Sequence, residues 1–66
     1  MTLVLFTYED NNNNIATIEQ EKYCSSYQLV VFDRKNRTTE LNRTYLSVKT
    51  AKQALKKYFP DMKKID

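Results

Sequence analysis

The sequence predicts a small α+β domain, in which a three- or four-stranded, mainly antiparallel sheet carries one C-terminal helix packed on one face. Two observations lead to this fold class. Short runs rich in β-branched and aromatic residues are separated by Asn-rich or charged turns in the first two thirds of the chain. The last third instead repeats its apolar residues at helical spacing. The 66 residues suffice for a single domain, residues 1–66, and leave no room for a second.

The first strand is predicted at residues 2–8, with Leu3 and Leu5 on one face and Val4, Phe6 and Tyr8 on the other. Four consecutive asparagines at 11–14 predict the turn that follows, since Asn tolerates left-handed backbone conformations. Residues 15–20 fit either an antiparallel return strand or a short helix capped by Asn14. We favour the strand, because so short a helix gains little from intrinsic propensity.

The third predicted strand, residues 27–32, is the clearest, and its apolar residues on both faces indicate an interior position in the sheet. A basic turn at 33–37 leads into a fourth strand that ends at Leu41 or continues to Thr44. A helix is then predicted at 47–59, with Ser47 as its N-cap and Pro60 ending it. Its apolar stripe consists of Val48, Ala51, Leu55, Tyr58 and Phe59.

One helix covers one face of a sheet, yet the first and third strands are apolar on both faces. Three arrangements fit the second face: a second copy of the protein covers it, another partner covers it, or its own side chains form a Tyr- and Thr-rich layer that tolerates water. The five tyrosines fit such a layer and also fit base stacking or a protein interface.

Charge divides the chain unevenly. Residues 1–33 hold one base against five acids, a net charge of −4, whereas residues 34–66 hold ten bases against three acids, a net charge of +7. This asymmetry indicates either an anionic partner for the second half or attraction between the halves. The candidate anion or nucleic-acid contacts are Arg34, Lys35, Arg37, Arg43, Lys49, Lys52 and Lys56.

The order of strand, basic turn, strand and helix in residues 27–59 resembles the arm-type DNA-binding modules of phage-type integrases. The resemblance implies that Arg34, Lys35, Arg37 and Arg43 contact DNA. The sequence departs from these modules because it has no glycine in the hairpin and an acidic first half. We therefore do not assign the chain to that family.

Catalysis has little support, since the chain has no His to act as a base and no Gly to form a phosphate loop. We expect no enzyme, no cofactor and no metal site. The acids at Glu9-Asp10 and at Glu19 and Glu21 are expected to be solvated turn residues. The single cysteine, Cys24, is expected to be buried or half-buried. One cysteine and no signal-like segment indicate a cytoplasmic protein.

The sequence thus predicts a non-enzymatic protein-binding or assembly module, with a homodimer through the uncovered sheet face as one form. The alternative is a small basic nucleic-acid-binding protein that uses the 34–43 region and the lysine flank of the helix. We expect a protein partner or self-association, at most weak nucleic-acid binding, no membrane contact and no small-molecule ligand.

Overall fold

The computed structural model describes residues 2–65 and forms one antiparallel sheet with a helix on one side. The elements are β1 (Thr2–Glu9), β2 (Asn14–Glu21), β3 (Tyr27–Asp33), β4 (Thr38–Tyr45), α1 (Val48–Tyr58) and β5 (Lys63–Lys64). The strand order is β4-β3-β2-β1-β5. The predicted α+β class is confirmed, and β3 is an interior strand as expected. Within residues 2–65, α1 is too short and too polar to cross a membrane.

The sheet has five strands rather than three or four, because the chain returns to the sheet after Pro60. Lys63 pairs with Glu9 and Lys64 pairs with Tyr8, so β5 lies on the outer edge of β1. The backbone N–H of Ile65 also donates to the carbonyl of Thr7 at 3.0 Å. A two-residue strand is too short to show a periodic pattern, which is why the sequence did not predict it.

The segment that fitted either a strand or a helix is the strand β2, at the centre of the sheet. Ala16 and Ile18 are fully buried, two residues apart, and face the helix. This two-residue period is that of a strand, and it places the intervening side chains on the opposite side of the sheet. The helix capped by Asn14 was therefore the wrong alternative.

A β-bulge in β1 changes the predicted faces of that strand. Val4 lies opposite Glu19 and Phe6 lies opposite Ile18, so the register shifts by one residue between them. Consecutive partners on β2 point to opposite sides, and Val4 and Phe6 therefore do so as well. The prediction that Val4 shares a face with Phe6 was wrong, since the bulge sends Phe6 to the helix side and leaves Val4 on the other.

The helix packs over β3 and β4 and completes the core. Ser47 caps it by accepting a hydrogen bond from the Thr50 backbone N–H at 3.1 Å, as predicted. The core consists of the side chains of Ala16, Ile18, Leu29, Val31, Ala51 and Leu55. Phe59 packs against this core, but Tyr58 is 49% exposed, so the predicted apolar stripe of the helix is narrower than expected.

Candidate protein-interaction surfaces

The side of the sheet away from α1 forms a continuous surface, here called the open face. At its centre, Ile15 lies opposite Phe32 and Thr17 lies opposite Val30. These four side chains are half-buried by one another, and Val4 on β1 is 50% exposed. Neighbouring strands lie about 4.8 Å apart, so the four residues on β2 and β3 form one patch, whereas Val4 lies opposite Glu19 at one end of it.

Charged residues stand at the two ends of the open face. At the end near the turns, Arg34 Nη2 lies 3.8 Å from Glu9 Oε2, and both side chains are about half exposed. At the other end, Glu19 accepts a hydrogen bond from the Thr17 hydroxyl. The centre between them carries no charge, so an apolar contact there desolvates no unpaired ion.

Two matching turns hold the strands at the Arg34 end of the sheet. Asp10 accepts hydrogen bonds from the backbone N–H groups of Asn12 and Asn14, at 2.8 and 3.0 Å. Burial works to raise the pKa of Asp10, but these bonds and the Asn14 side-chain amide outweigh it and lower the pKa. Asp10 is therefore a structural turn residue, half-buried rather than fully solvated as predicted.

Asp33 plays the same part in the second turn. It accepts from the backbone N–H of Asn36 at 3.3 Å, from the Asn36 side chain at 2.8 Å and from the backbone N–H of Lys35 at 2.9 Å. The backbone hydrogen bond from Asn36 is the main cause that lowers the pKa of Asp33, against the opposing effect of burial. Both acids thus stabilise the turns as carboxylates.

The structure separates the seven candidate basic residues into three groups. Arg34, Lys35 and Arg37 are exposed in the turn between β3 and β4, where Arg34 Nε also donates to the carbonyl of Asn13. Arg43 lies on the helix side of β4, with its guanidinium 5.8 Å from the centre of the Tyr58 ring. The third group, Lys49, Lys52 and Lys56, lies along the flank of α1 that faces β1.

A groove lies between that flank of α1 and the β1–β5 edge, and we call it the helix groove. It encloses about 250 Å³ and is lined by Tyr8, Lys52, Leu55, Lys56, Phe59, Pro60 and Met62. Beside it, Lys52 Nζ and Lys64 Nζ lie 4.0 and 4.9 Å from the centre of the Phe6 ring. The groove therefore combines an apolar, aromatic floor with a basic rim.

The sequence predicted the lysine flank but missed the groove. The parts that it missed are Phe6, which the bulge in β1 turns to the helix side, and Met62 and Lys64, which join the flank as the chain returns to the sheet. No local pattern signalled this return, since the run from Met62 to Ile65 does not alternate apolar and polar residues.

The tyrosines do not form a layer on the open face. Tyr8, Tyr27 and Tyr45 pack against the core on the helix side. Tyr23 is 93% exposed in the loop after β2 and has a positive φ of 71°. Among the described residues, no group of tyrosines therefore lies on the open face, where base stacking would require one.

Cys24 is exposed, so the expectation of a buried or half-buried thiol was wrong. It lies beside Tyr23 in a shallow hollow of about 400 Å³ that also includes Leu3, Gln20, Glu21 and Lys22. Residues 22–25 of the loop between β2 and β3 are exposed, and none of them belongs to the core. Across residues 2–65, no three His, Cys, Asp or Glu side chains come together as a metal site would require.

The three other acids that were expected to be solvated turn residues also make local contacts. Glu9 pairs with Arg34, Glu19 accepts from Thr17, and Glu21 accepts from the Thr2 hydroxyl at 2.6 Å. Glu9 and Glu21 are exposed as predicted, and Glu19 is half-buried. All three lie in strands, so the prediction that they are turn residues was wrong.

Comparison of the chain with protein-family models, with curated proteins and with solved structures finds no match.

Proposed function

We propose that this protein is a non-enzymatic assembly module that pairs with a second copy of itself through the open face. The observation that carries the proposal is the position of Val4, Ile15, Val30 and Phe32 on the side of the sheet that no helix covers. The free energy of the system falls when a second surface covers such apolar side chains and excludes water from them.

The uncharged centre of the open face favours a second copy as the occupant, because two such patches cover each other without desolvating an unpaired ion. A two-fold axis that lies between the two faces and runs across the strands reverses the strand direction. The Glu19 end of one copy then meets the end of the other copy that carries the Glu9–Arg34 pair. The same contact forms twice, once at each end of the apolar centre. A standard interface needs about 800 Å² from each partner, which is about a sixth of the 4795 Å² accessible surface of one copy.

The cytoplasm is the compartment that we propose for this assembly. An exposed thiol such as Cys24 stays reduced there, whereas an oxidising compartment favours its pairing with another thiol.

A charge placed at the centre of the open face tests the proposal. Thr17→Lys brings two ammonium groups together across the two-fold axis, and we expect the dimer dissociation constant to rise at least about tenfold. Gln53→Lys is the matched control, because it adds the same charge on an exposed position of α1. Sedimentation equilibrium of both variants and the parent chain gives the three constants.

We expect the parent chain to show a monomer–dimer equilibrium at high micromolar concentration or tighter, and the apolar contact to persist in high salt. A parent chain that sediments only as the 7.9 kDa species at millimolar concentration would refute the proposal. Equal effects of Thr17→Lys and Gln53→Lys would place the interface elsewhere.

A further inference from the structure

We propose that the helix groove binds an acidic peptide segment of a partner protein, with one apolar side chain of the peptide on the groove floor and its carboxylates on the lysine rim. This site lies on the helix side of the sheet, opposite the open face. The inference therefore does not depend on self-association, and a dimer formed through the open faces would present two such grooves outward.

The first observation is a set of neighbouring ammonium groups that have no ion-pair partner among residues 2–65. Lys52 and Lys64 come from different elements, yet both Nζ atoms lie within 5 Å of the Phe6 ring centre. Lys56 follows Lys52 by one helical turn. Cation–π attraction offsets part of their mutual repulsion. Within residues 2–65 the one ion pair is Glu9–Arg34, so no described carboxylate neutralises the rim.

The second observation is the apolar floor beside these charges. Leu55 is 3% exposed at the base of the groove, and Phe59 and Met62 are half-buried around it. The volume of about 250 Å³ is several times the roughly 30 Å³ that one water molecule occupies in the liquid. The groove therefore has room for one large apolar side chain.

These two features together favour an acidic peptide over a nucleic acid. Two ammonium groups lie over the Phe6 ring, which also packs against the core, so a base that stacks there has to displace them. The rim spans one helical turn and the adjacent β5, whereas a nucleic-acid backbone needs a basic groove that follows several phosphates. An extended peptide places alternate side chains on one face, which suits carboxylates on either side of one apolar anchor.

Fluorescence anisotropy with a labelled peptide of sequence EEFEDE tests the inference. We expect Lys52→Gln and Lys56→Gln each to weaken peptide binding at least about fivefold. Lys57→Gln is the matched control, since it removes the same charge from a position about 100° further round α1 that does not line the groove, and we expect it to change affinity less than about twofold. Peptides with Gln in place of the acids, or with Ala in place of Phe, should both bind more weakly.

Three results would overturn the inference. The first is equal weakening by Lys57→Gln and Lys52→Gln, which indicates attraction to net charge alone. The second is a ten-nucleotide thymidine strand that binds more tightly than the peptide and loses affinity in the same lysine variants, which assigns the groove to phosphate. The third is the absence of peptide binding to a parent chain whose circular dichroism shows it folded.

The same titration on Thr17→Lys separates this inference from the proposed function. Peptide binding that persists in a monomeric Thr17→Lys supports the groove by itself. Loss of peptide binding in that folded variant would show that the groove does not act independently, contrary to the inference.

Discussion

Two aspartates determine the geometry of the turns at one end of the sheet. Asp10 and Asp33 each accept backbone hydrogen bonds from residues two to four positions further along the chain. Such bonds satisfy N–H groups that no strand partner reaches, and they favour the ionised form of the acid. In a chain without glycine, these carboxylates support the left-handed backbone at Asn13 and Arg37, whose φ angles are 66° and 56°.

The lowered pKa of Asp33 predicts a loss of stability in acid. A carboxyl whose pKa is lower in the folded state stabilises the fold above its unfolded pKa, and this contribution disappears as the pH falls through the folded value. We expect the free energy of unfolding to decrease as the pH falls below 3.8, the ordinary pKa of an aspartate. Asp33→Asn, which removes the titrating group, should flatten this part of the curve of thermal midpoint against pH.

Asp61→Asn provides the control for this measurement, because Asp61 is an exposed acid beyond the helix with no part in these turns. We expect it to retain the acid dependence of the parent chain. An unchanged slope in Asp33→Asn between about pH 5 and pH 2 would show that the turn hydrogen bonds do not couple to folding.

Residue-level signals in the sequence identified some of these features and missed others. The asparagine run predicted the first turn, since Asn is common where φ is positive. Tyr23 and Arg37 also have positive φ, but neither residue type indicates such a conformation. The solvent exposure of Cys24 was missed for a related reason, because the burial of a loop residue depends on where the loop passes relative to the core.

At the scale of elements, the helix is the part that the sequence predicted most directly. Its buried residues Ala51 and Leu55 and its cap at Ser47 follow from local spacing and local hydrogen bonding. Strands that depend on distant partners were harder to predict. The bulge at Leu5 in β1 and the short strand β5 arise from pairing between segments, which no local pattern encodes.

Leu55 provides the test of how the helix packs. Leu55→Ala should lower the free energy of unfolding by about 2 to 5 kcal/mol, because it leaves a cavity between α1 and the sheet. In a 66-residue domain a loss of this size is enough to unfold much of the population. Gln53→Ala, on the exposed side of the same helix, should change it by less than about 0.5 kcal/mol. Urea denaturation followed by circular dichroism compares the two, and equal midpoints would contradict the packing.

At the scale of the whole molecule, the acidic and basic halves meet through strand pairing rather than through ion pairs. Backbone hydrogen bonds join the halves where β3 pairs with β4 and where β1 pairs with β5. In the described part of the chain Glu9–Arg34 is the single ion pair. The charge asymmetry seen in the sequence therefore remains on the surface of the fold. The sequence left open whether the charges are internally paired, because that depends on which side chains the register brings together.

Salt dependence tests whether the basic residues bind nucleic acid. The turn offers three phosphate contacts, Arg34, Lys35 and Arg37, whereas Arg43 lies apart beside Tyr58. Each contact releases about one counterion, so the slope of log affinity against log salt should be about −2 to −3 for a labelled DNA duplex. Arg37→Gln should reduce the magnitude of this slope by about one, and Arg43→Gln should leave the slope unchanged.

We expect weak, sequence-independent binding of nucleic acid, because the acids of the first half oppose the positive field of the turn. Sub-micromolar, sequence-dependent affinity at physiological salt would instead favour nucleic-acid recognition over assembly.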